Sequence, residues 1–211
     1  MVNTQKAGSM GDGHKKSISG KALLRATYLE ERRLLPQSQI EQTSKYLLKI
    51  FERSFDLNRH KYIHVFLPIE KQNEVNTWHI VEYLERNNQY VVISKSDLSS
   101  NNLEHFIYDK SVELKSNKWG IPEPESGVQV SESQIDMVLI PLLIFDKTGH
   151  RVGYGKGYYD LFLSKCRTGC VKVGLSLMPP VDLIPETEPT DVRMDYCISP
   201  LGLHTFETVK K

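Results

Sequence analysis

Apolar residues fall at helical spacing near the start of the chain and in short alternating or continuous runs further on. Residues 19–35 read as a helix, with Leu24 and Tyr28 among charged positions, and Pro36 interrupts it. Ser38 with Glu41 three residues later is a capping-box pattern. Ile40, Leu47, Ile50 and Phe51 then form a helical stripe to about residue 55. Residues 62–67 are apolar and end at Pro68, which predicts a strand. Thr77 stands where it can cap a helix whose Ile80, Val81 and Leu84 face inward. Residues 90–94 and 103–108 read as further strands. Residues 118–133 carry Gly120, Pro122, Pro124 and Gly127 and read as a loop. The apolar stretch 137–145 predicts a buried strand, strongest over 137–141. Residues 158–165 predict a helix. Val171, Val173, Leu175 and Leu177 alternate with Lys172, Gly174 and Ser176 as in a strand. Four prolines between 179 and 189 mark an irregular loop before a short strand at 196–199.

Strands alternating with helices predict an α/β fold: a three-layer α/β/α arrangement around an open, doubly wound, mostly parallel sheet. Ligands in such sheets bind outside the carboxyl ends of the strands. The segments after 145, over 68–74 and over 178–191 all follow predicted strands, so the topology brings them to one edge. The chain shows no internal repeat and no low-complexity tract.

Between the strand ending at 145 and the helix starting at 158 lies the sequence Asp146-Lys-Thr-Gly-His-Arg-Val-Gly-Tyr-Gly-Lys-Gly-Tyr-Tyr-Asp160. It holds four glycines, three tyrosines and two carboxylates in fifteen residues. Glycines let main chain approach a ligand closely, and free N–H groups at a helix start favour an anion. Neither common nucleotide fingerprint is present: Gly153, Gly155 and Gly157 give G-x-G-x-G, and Lys156 precedes glycine instead of Ser or Thr. Glycine alternation alone also suits a tight turn. Arg151, Lys156 and Asp160 around it point instead to an anion and metal site.

Composition narrows the partners. The 211 residues carry 27 basic and 26 acidic side chains, a net charge of +1, which argues against a broad nucleic-acid surface. No apolar stretch approaches the roughly 18 residues of a membrane span. Three cysteines without a second metal-binding pair suit a reducing compartment, so a cytoplasmic protein is expected; with no heptad repeat and no obvious exposed apolar stripe, a monomer is expected. Residues 1–14 are small and polar with a second Met at position 10; they read as a disordered leader or expression scar ahead of a single domain over 15–211.

The full run D-x-x-G-x-R-x-G-x-G-K-G-Y-Y-D closely resembles the signature of the 5-formyltetrahydrofolate cyclo-ligase (5,10-methenyltetrahydrofolate synthetase) family. Other segments follow in that family's order: Lys21-Ala22-Leu23-Leu24-Arg25, Phe66-Leu67-Pro68, Glu74-Val75-Asn76-Thr77, Trp119-Gly120-Ile121-Pro122-Glu123-Pro124 and Asp191-Val192-Arg193-Met194-Asp195. Together they span about residues 15 to 200.

The resemblance implies a NagB/RpiA-like fold. It also implies an enzyme that uses ATP and Mg²⁺ to convert 5-formyltetrahydrofolate to 5,10-methenyltetrahydrofolate. Lys156 and Arg151 would act on the transferring phosphoryl group. Nucleotide would be held by Lys21, Ala22, Leu23, Leu24 and Arg25 on one side. On the other side would stand Arg151, Val152, Gly153, Tyr154, Gly155, Lys156, Gly157, Tyr158 and Tyr159. Leu67, Glu74, Trp119, Tyr154 and Tyr158 would receive the reduced folate, and Asp160 with Asp191 would hold the metal. Asp195 is the alternative second carboxylate. Two departures stand out: Thr190 sits where family members often carry His, and Tyr154 where others carry residues including Arg. His150 is expected to face solvent. Competing readings are another ATP-dependent ligase on this scaffold, a non-catalytic folate or nucleotide binder, and a sugar-phosphate or coenzyme A enzyme, since fold alone does not decide function.

Overall fold

The computed structural model describes residues 20–97 and 99–207; the leader assigned to residues 1–14, and Ser19, lie outside the described residues. Two helices open it, α1 (Gly20–Arg33) and α2 (Gln37–Ser54). Pro36 is the N-cap of α2, and its carbonyl accepts from Gln39 and Ile40 at 2.9 and 3.1 Å. The helix therefore starts ahead of Ser38, and the expected Ser38–Glu41 box is not made. Glu41 points sideways instead, to Lys45 at 2.9 Å, His79 at 2.8 Å and Asn76 at 3.0 Å.

The strands and remaining helices follow as β1 (Tyr62–His64), α3 (Trp78–Arg86), β2 (Tyr90–Ser96), β3 (Leu103–Tyr108), β4 (Leu114–Ser116), β5 (Pro122–Pro124), β6 (Gln129–Val130), β7 (Met137–Pro141), β8 (Ile144–Phe145), β9 (Arg151–Val152), α4 (Tyr158–Lys165), β10 (Val171–Leu175), β11 (Tyr196–Ser199) and β12 (Gly202–Thr205). Eight strands form one sheet in the order β12-β11-β10-β7-β1-β2-β3-β6. The five central strands, from β11 to β2, run parallel, and antiparallel strands close both edges.

Register separates the two faces of the sheet. Ile63, Val91, Ile93, Met137, Leu139, Val173 and Leu175 pack against Leu47, Ile50 and Phe51 of α2 and Ile80, Val81 and Leu84 of α3. Val92, Val138, Ile140 and Cys197 face Phe162 and Leu163 of α4 on the other side. Both faces are covered, as a parallel sheet requires, which makes the three layers expected from the alternation. Each fully buried Leu, Ile or Phe side chain contributes about 1.5–3 kcal/mol.

Three local readings change. The apolar stretch 137–145 is not one strand: β7 ends at Pro141, and β8 pairs antiparallel with β9 as a separate hairpin. The segment 118–133 contains β5 and β6, with β5 paired to β4. Its prolines are tolerated because that two-stranded ribbon leaves donors unneeded on its free side. Thr77 does not cap α3 with its side chain; its hydroxyl donates to the Phe66 carbonyl at 2.5 Å and fixes the segment after β1. Among the described residues no helix is long and apolar enough to cross a membrane.

Candidate active site

The carboxyl ends of β1, β2 and β7 open into a cavity of about 900 Å³. Phe66 and Leu67 line it after β1, Ser94 and Ser96 on β2, and Pro141 on β7. Residues 153–161, 189–192, Glu74 and Trp119 complete the wall, so the three segments expected at one edge do meet there. From α1, Lys21 and Arg25 reach the same cavity. Leu24 instead packs with Ile144, Val152 and Ile184, and Leu23 is 60% exposed, away from the cavity.

The glycine run forms the cationic wall. Gly155 and Gly157 have φ of +80° and +75°, a left-handed bend that side-chain-bearing residues adopt at a cost. Gly157 then becomes the N-cap of α4. Among the described residues, the N–H groups of Gly153, Tyr154, Gly155, Lys156 and Gly157 have no protein acceptor. Arg25 braces the bend from α1, its Nε donating to the Gly153 carbonyl at 2.9 Å. Lys156 is exposed and has no hydrogen-bond or ion-pair partner among the described residues.

The two acids expected to hold metal both line the cavity, and each already meets a cation. Lys21 forms an ion pair with Asp191. That contact and the Glu188 N–H hold the Asp191 carboxyl below its ordinary range against the opposing effect of burial. Arg151 Nη2 pairs with Asp160 Oδ1 at 2.7 Å, and the same oxygen accepts from the Val192 N–H at 3.0 Å. Arg151 Nη1 donates to the Val192 carbonyl. Arg151 thus ties α4 to the 191–192 segment, with both terminal nitrogens engaged by protein. Oδ2 of Asp160 and Oδ1 of Asp191 have no partner among the described residues. Two such free carboxylate oxygens beside the glycine bend fit a magnesium ion, which takes one or two carboxylates plus phosphate and water. Asp195 does not line the cavity; its carboxylate binds Lys172 through the backbone N–H and Nζ, both at 2.8 Å.

A second, more buried stretch of the wall adjoins the glycine run at Tyr154. Glu74 is buried, with Oε2 accepting from the Ile69 N–H at 2.8 Å and Oε1 from the Tyr154 hydroxyl at 2.7 Å. Burial raises its carboxyl above the ordinary range; Arg32 and the two hydrogen bonds oppose that. Tyr154 is also pushed up, by burial and then by Glu74. Leu67 is buried beside the cavity, while Trp119 is 41% exposed, with Lys118 Nζ 4.8 Å from its ring centre. Tyr158 is half-buried on the wall. Tyr159 turns inward against His64 and Phe162. An open aromatic edge facing a buried acid suits a flat heteroaromatic ring with N–H donors.

Residues 17–200 match the family model of 5-formyltetrahydrofolate cyclo-ligases. The chain belongs to the 5-formyltetrahydrofolate cyclo-ligase family. It is 30% identical over 155 residues to the 5-formyltetrahydrofolate cyclo-ligase of Mus musculus, covering 70% of this chain and 75% of that protein. It is 29% identical over 165 residues to that of Saccharomyces cerevisiae, covering 67% and 77%. The fold is that of solved methenyltetrahydrofolate synthetases. The Aquifex aeolicus structure superposes with a TM-score of 0.75 over 90% of this chain and 95% of that one, at 20% identity. The Mycoplasma pneumoniae structure gives 0.65 over 84% and 97%, at 24% identity. This chain is accordingly a cyclo-ligase-family enzyme.

Around this candidate site of the cyclo-ligase-family chain, several residues that shape it are given no role by the sequence pattern. Asp146 is fully buried and organises the β8–β9 turn: Oδ1 accepts from the Thr148 N–H and hydroxyl and the His150 N–H, and Oδ2 from the Ile184 N–H. An Asp followed by Thr and Gly two and three residues on is a turn signal that could have revealed it. His150 is half-buried, with Nδ1 unpartnered, and not simply turned to solvent as expected. At the cavity floor Ser94 Oγ lies 2.7 Å from His64 Nε2 and 2.9 Å from His105 Nδ1, an arrangement that only strand pairing brings together. Arg32 stands behind Tyr154, and nothing in its helical context distinguishes it from the exposed Arg33 next to it.

Proposed function

We propose that the protein converts 5-formyltetrahydrofolate and ATP to 5,10-methenyltetrahydrofolate, ADP and phosphate, with magnesium. The observation that carries the reading is the pairing of two walls in one cavity. One wall offers the free N–H groups of Gly153 to Gly157 beside Lys156. The other offers a buried carboxylate and an open aromatic edge.

A formyl group on a ring nitrogen is an amide, whose carbon is a poor electrophile and whose oxygen leaves poorly. Transfer of the γ-phosphoryl group to that oxygen, with ADP departing, corrects both. The second folate nitrogen then attacks the formyl carbon and loses its proton. The carbon–oxygen bond breaks and phosphate leaves, giving the methenyl bridge. The protein's work is alignment and charge neutralisation, as in other phosphoryl transfers.

In this reading the N–H groups of the bend bind phosphate oxygens and Lys156 neutralises the moving phosphoryl group. Arg25 holds the bend from behind. Arg151 positions Asp160 and the 191–192 segment instead of forking directly onto phosphate. Asp160 Oδ2 and Asp191 Oδ1 would hold magnesium, which supplies charge neutralisation on the phosphates. Glu74 accepts ring N–H groups, while Leu67, Trp119 and Tyr158 cover the ring. Free Cys166, Cys170 and Cys197 suit a reducing compartment, in keeping with a cytoplasmic location. The test is the absorbance of methenyl product after adding 5-formyltetrahydrofolate to protein, ATP and magnesium. Product should form only when all three are present; none at generous protein concentration rejects the assignment.

A further inference from the structure

Among the described residues Arg32 is the one Lys or Arg that is buried, at 4% exposure. It lies outside the cavity wall and has no carboxylate in contact. Its guanidinium donates to the Leu142 carbonyl at 3.4 Å and to the Tyr154 hydroxyl, and it sits 5.4 Å from the centre of the Tyr154 ring. A buried cation without a balancing anion is costly. The balancing anion is one hydroxyl away: Tyr154 accepts from Arg32 and donates to Glu74 Oε1 at 2.7 Å. The fixed positive charge and the buried carboxylate are thus joined through a neutral phenol.

Arg32 follows Lys21 by eleven residues, three helical turns, so it lies on the α1 face that carries Lys21 and Arg25. One helix therefore presents two cations to the glycine-run end of the cavity and a third behind its acidic wall. The titratable groups facing Glu74 are Arg32 from α1, Tyr154 from the glycine run and Tyr159 from α4. Both tyrosines are pushed up by burial and by Glu74 and stay neutral, which leaves Arg32 as the charge that opposes protonation of the buried acid.

We propose that Arg32 is a positioning residue: acting through Tyr154, it keeps the Glu74 carboxylate ionised and aimed into the cavity, and so sets affinity for the reduced folate without touching it. The inference rests on the reading of Glu74 as the folate acceptor. It also accounts for the tyrosine at position 154, whose hydroxyl relays the effect of a cation on α1.

The test compares wild type, Arg32→Met, Arg32→Lys and Tyr154→Phe in steady-state turnover between pH 6 and 8. Arg32→Met should raise KM for 5-formyltetrahydrofolate at least tenfold at pH 7.5. Its kcat should stay within threefold and its KM for ATP within twofold of wild type. The folate defect should grow as pH falls, because Glu74 without its cation takes up a proton more readily. Arg32→Lys should recover part of the loss. If Arg32→Met does not fold, Tyr154→Phe removes only the relaying hydroxyl and should reproduce a folate-specific, acid-sensitive rise in KM. A folate KM that matches wild type at every pH in the folded Arg32→Met protein, or in Tyr154→Phe, overturns the inference alone. Wild-type protein without turnover overturns it together with the function proposed above.

Discussion

The Arg25 guanidinium lies directly against Gly155: a Cβ at Gly155 would stand 2.8 Å from Arg25 Cζ and Nη2. Gly155 is also left-handed, so a side chain there meets two obstacles at once. Backbone strain alone would cost about 1–2 kcal/mol in Gly155→Ala. Clearing the contact would also move Arg25 off the Gly153 carbonyl. The variant should melt several degrees lower and show a KM for ATP raised at least tenfold, with the folate KM changed less than twofold. An unaltered ATP KM would mean that this contact does not shape the nucleotide end.

Lys156 presents the opposite case. It is exposed and makes no contact that the fold needs. Lys156→Ala should therefore unfold at the wild-type temperature while kcat falls by about two orders of magnitude, the usual effect of removing one charge-stabilising donor. Thermal melts beside turnover separate the two effects. Near-normal turnover would remove Lys156 from the chemistry.

Much of this site was legible from residue order because the glycine run is contiguous. Gly153 to Gly157 carry their conformational freedom locally, and Lys156 and Asp160 lie within a few positions of the bend. The parallel sheet was legible for a similar reason: its central strands are short apolar runs separated by helical stripes. What escaped depends on distant partners. Arg151 reads as a phosphate contact from the sequence, and its ties to Asp160 and the Val192 carbonyl become visible only when the 191–192 segment folds onto it. Arg32 looks like a second solvated arginine until the Tyr154 ring covers it. The helix caps failed for a related reason. Ser38 and Thr77 have suitable hydroxyls, but Pro36 starts one helix early and the Phe66 carbonyl takes the other hydroxyl.

Asp160 is predicted to carry two duties that a single substitution can separate. Its Oδ1 holds Arg151, whose side chain is only 7% exposed, while its Oδ2 has no partner among the described residues and the residue lines the cavity. Asp160→Asn weakens the charged partner of a nearly buried arginine, which should lower stability by about 2 kcal/mol. It should also raise the magnesium concentration for half-maximal rate at least tenfold. Asp191→Asn should produce the magnesium effect with a smaller loss of stability, since its partner Lys21 is 17% exposed and can turn to water. Urea titrations with magnesium titrations of rate check both. Indifference of both variants to magnesium would exclude the pair as ligands.

Trp119 offers a direct view of the wall proposed to receive folate. It is 41% exposed at the cavity edge, whereas Trp78, the other tryptophan, is half-buried against Tyr108 and does not line the cavity. A ring bound between Glu74 and Trp119 should quench and shift the Trp119 emission. Trp119→Phe should abolish that change and raise the folate KM several-fold, because the larger stacking surface is lost. A ligand-dependent signal that persists in Trp119→Phe would place the ring elsewhere.

The histidines at the cavity floor make stability depend on acid. Burial drives His64 far below its ordinary range and His105 from 6.5 down to about 4. Both are therefore neutral in the native state, while the unfolded chain protonates them near 6.5. A depressed histidine contributes its stability in full above pH 6.5 and loses it as pH falls from 6.5 towards the folded value. For His105 alone the loss between pH 7.5 and pH 5 is about 2 kcal/mol. His105→Gln can still meet the Ser94 hydroxyl but cannot take up a proton. It should lower stability at pH 7.5 yet lose less than wild type on going to pH 5. Urea midpoints at the two pH values measure both quantities. If His105→Gln loses as much as wild type, His105 is not held neutral by its burial, and the acid sensitivity arises in other groups.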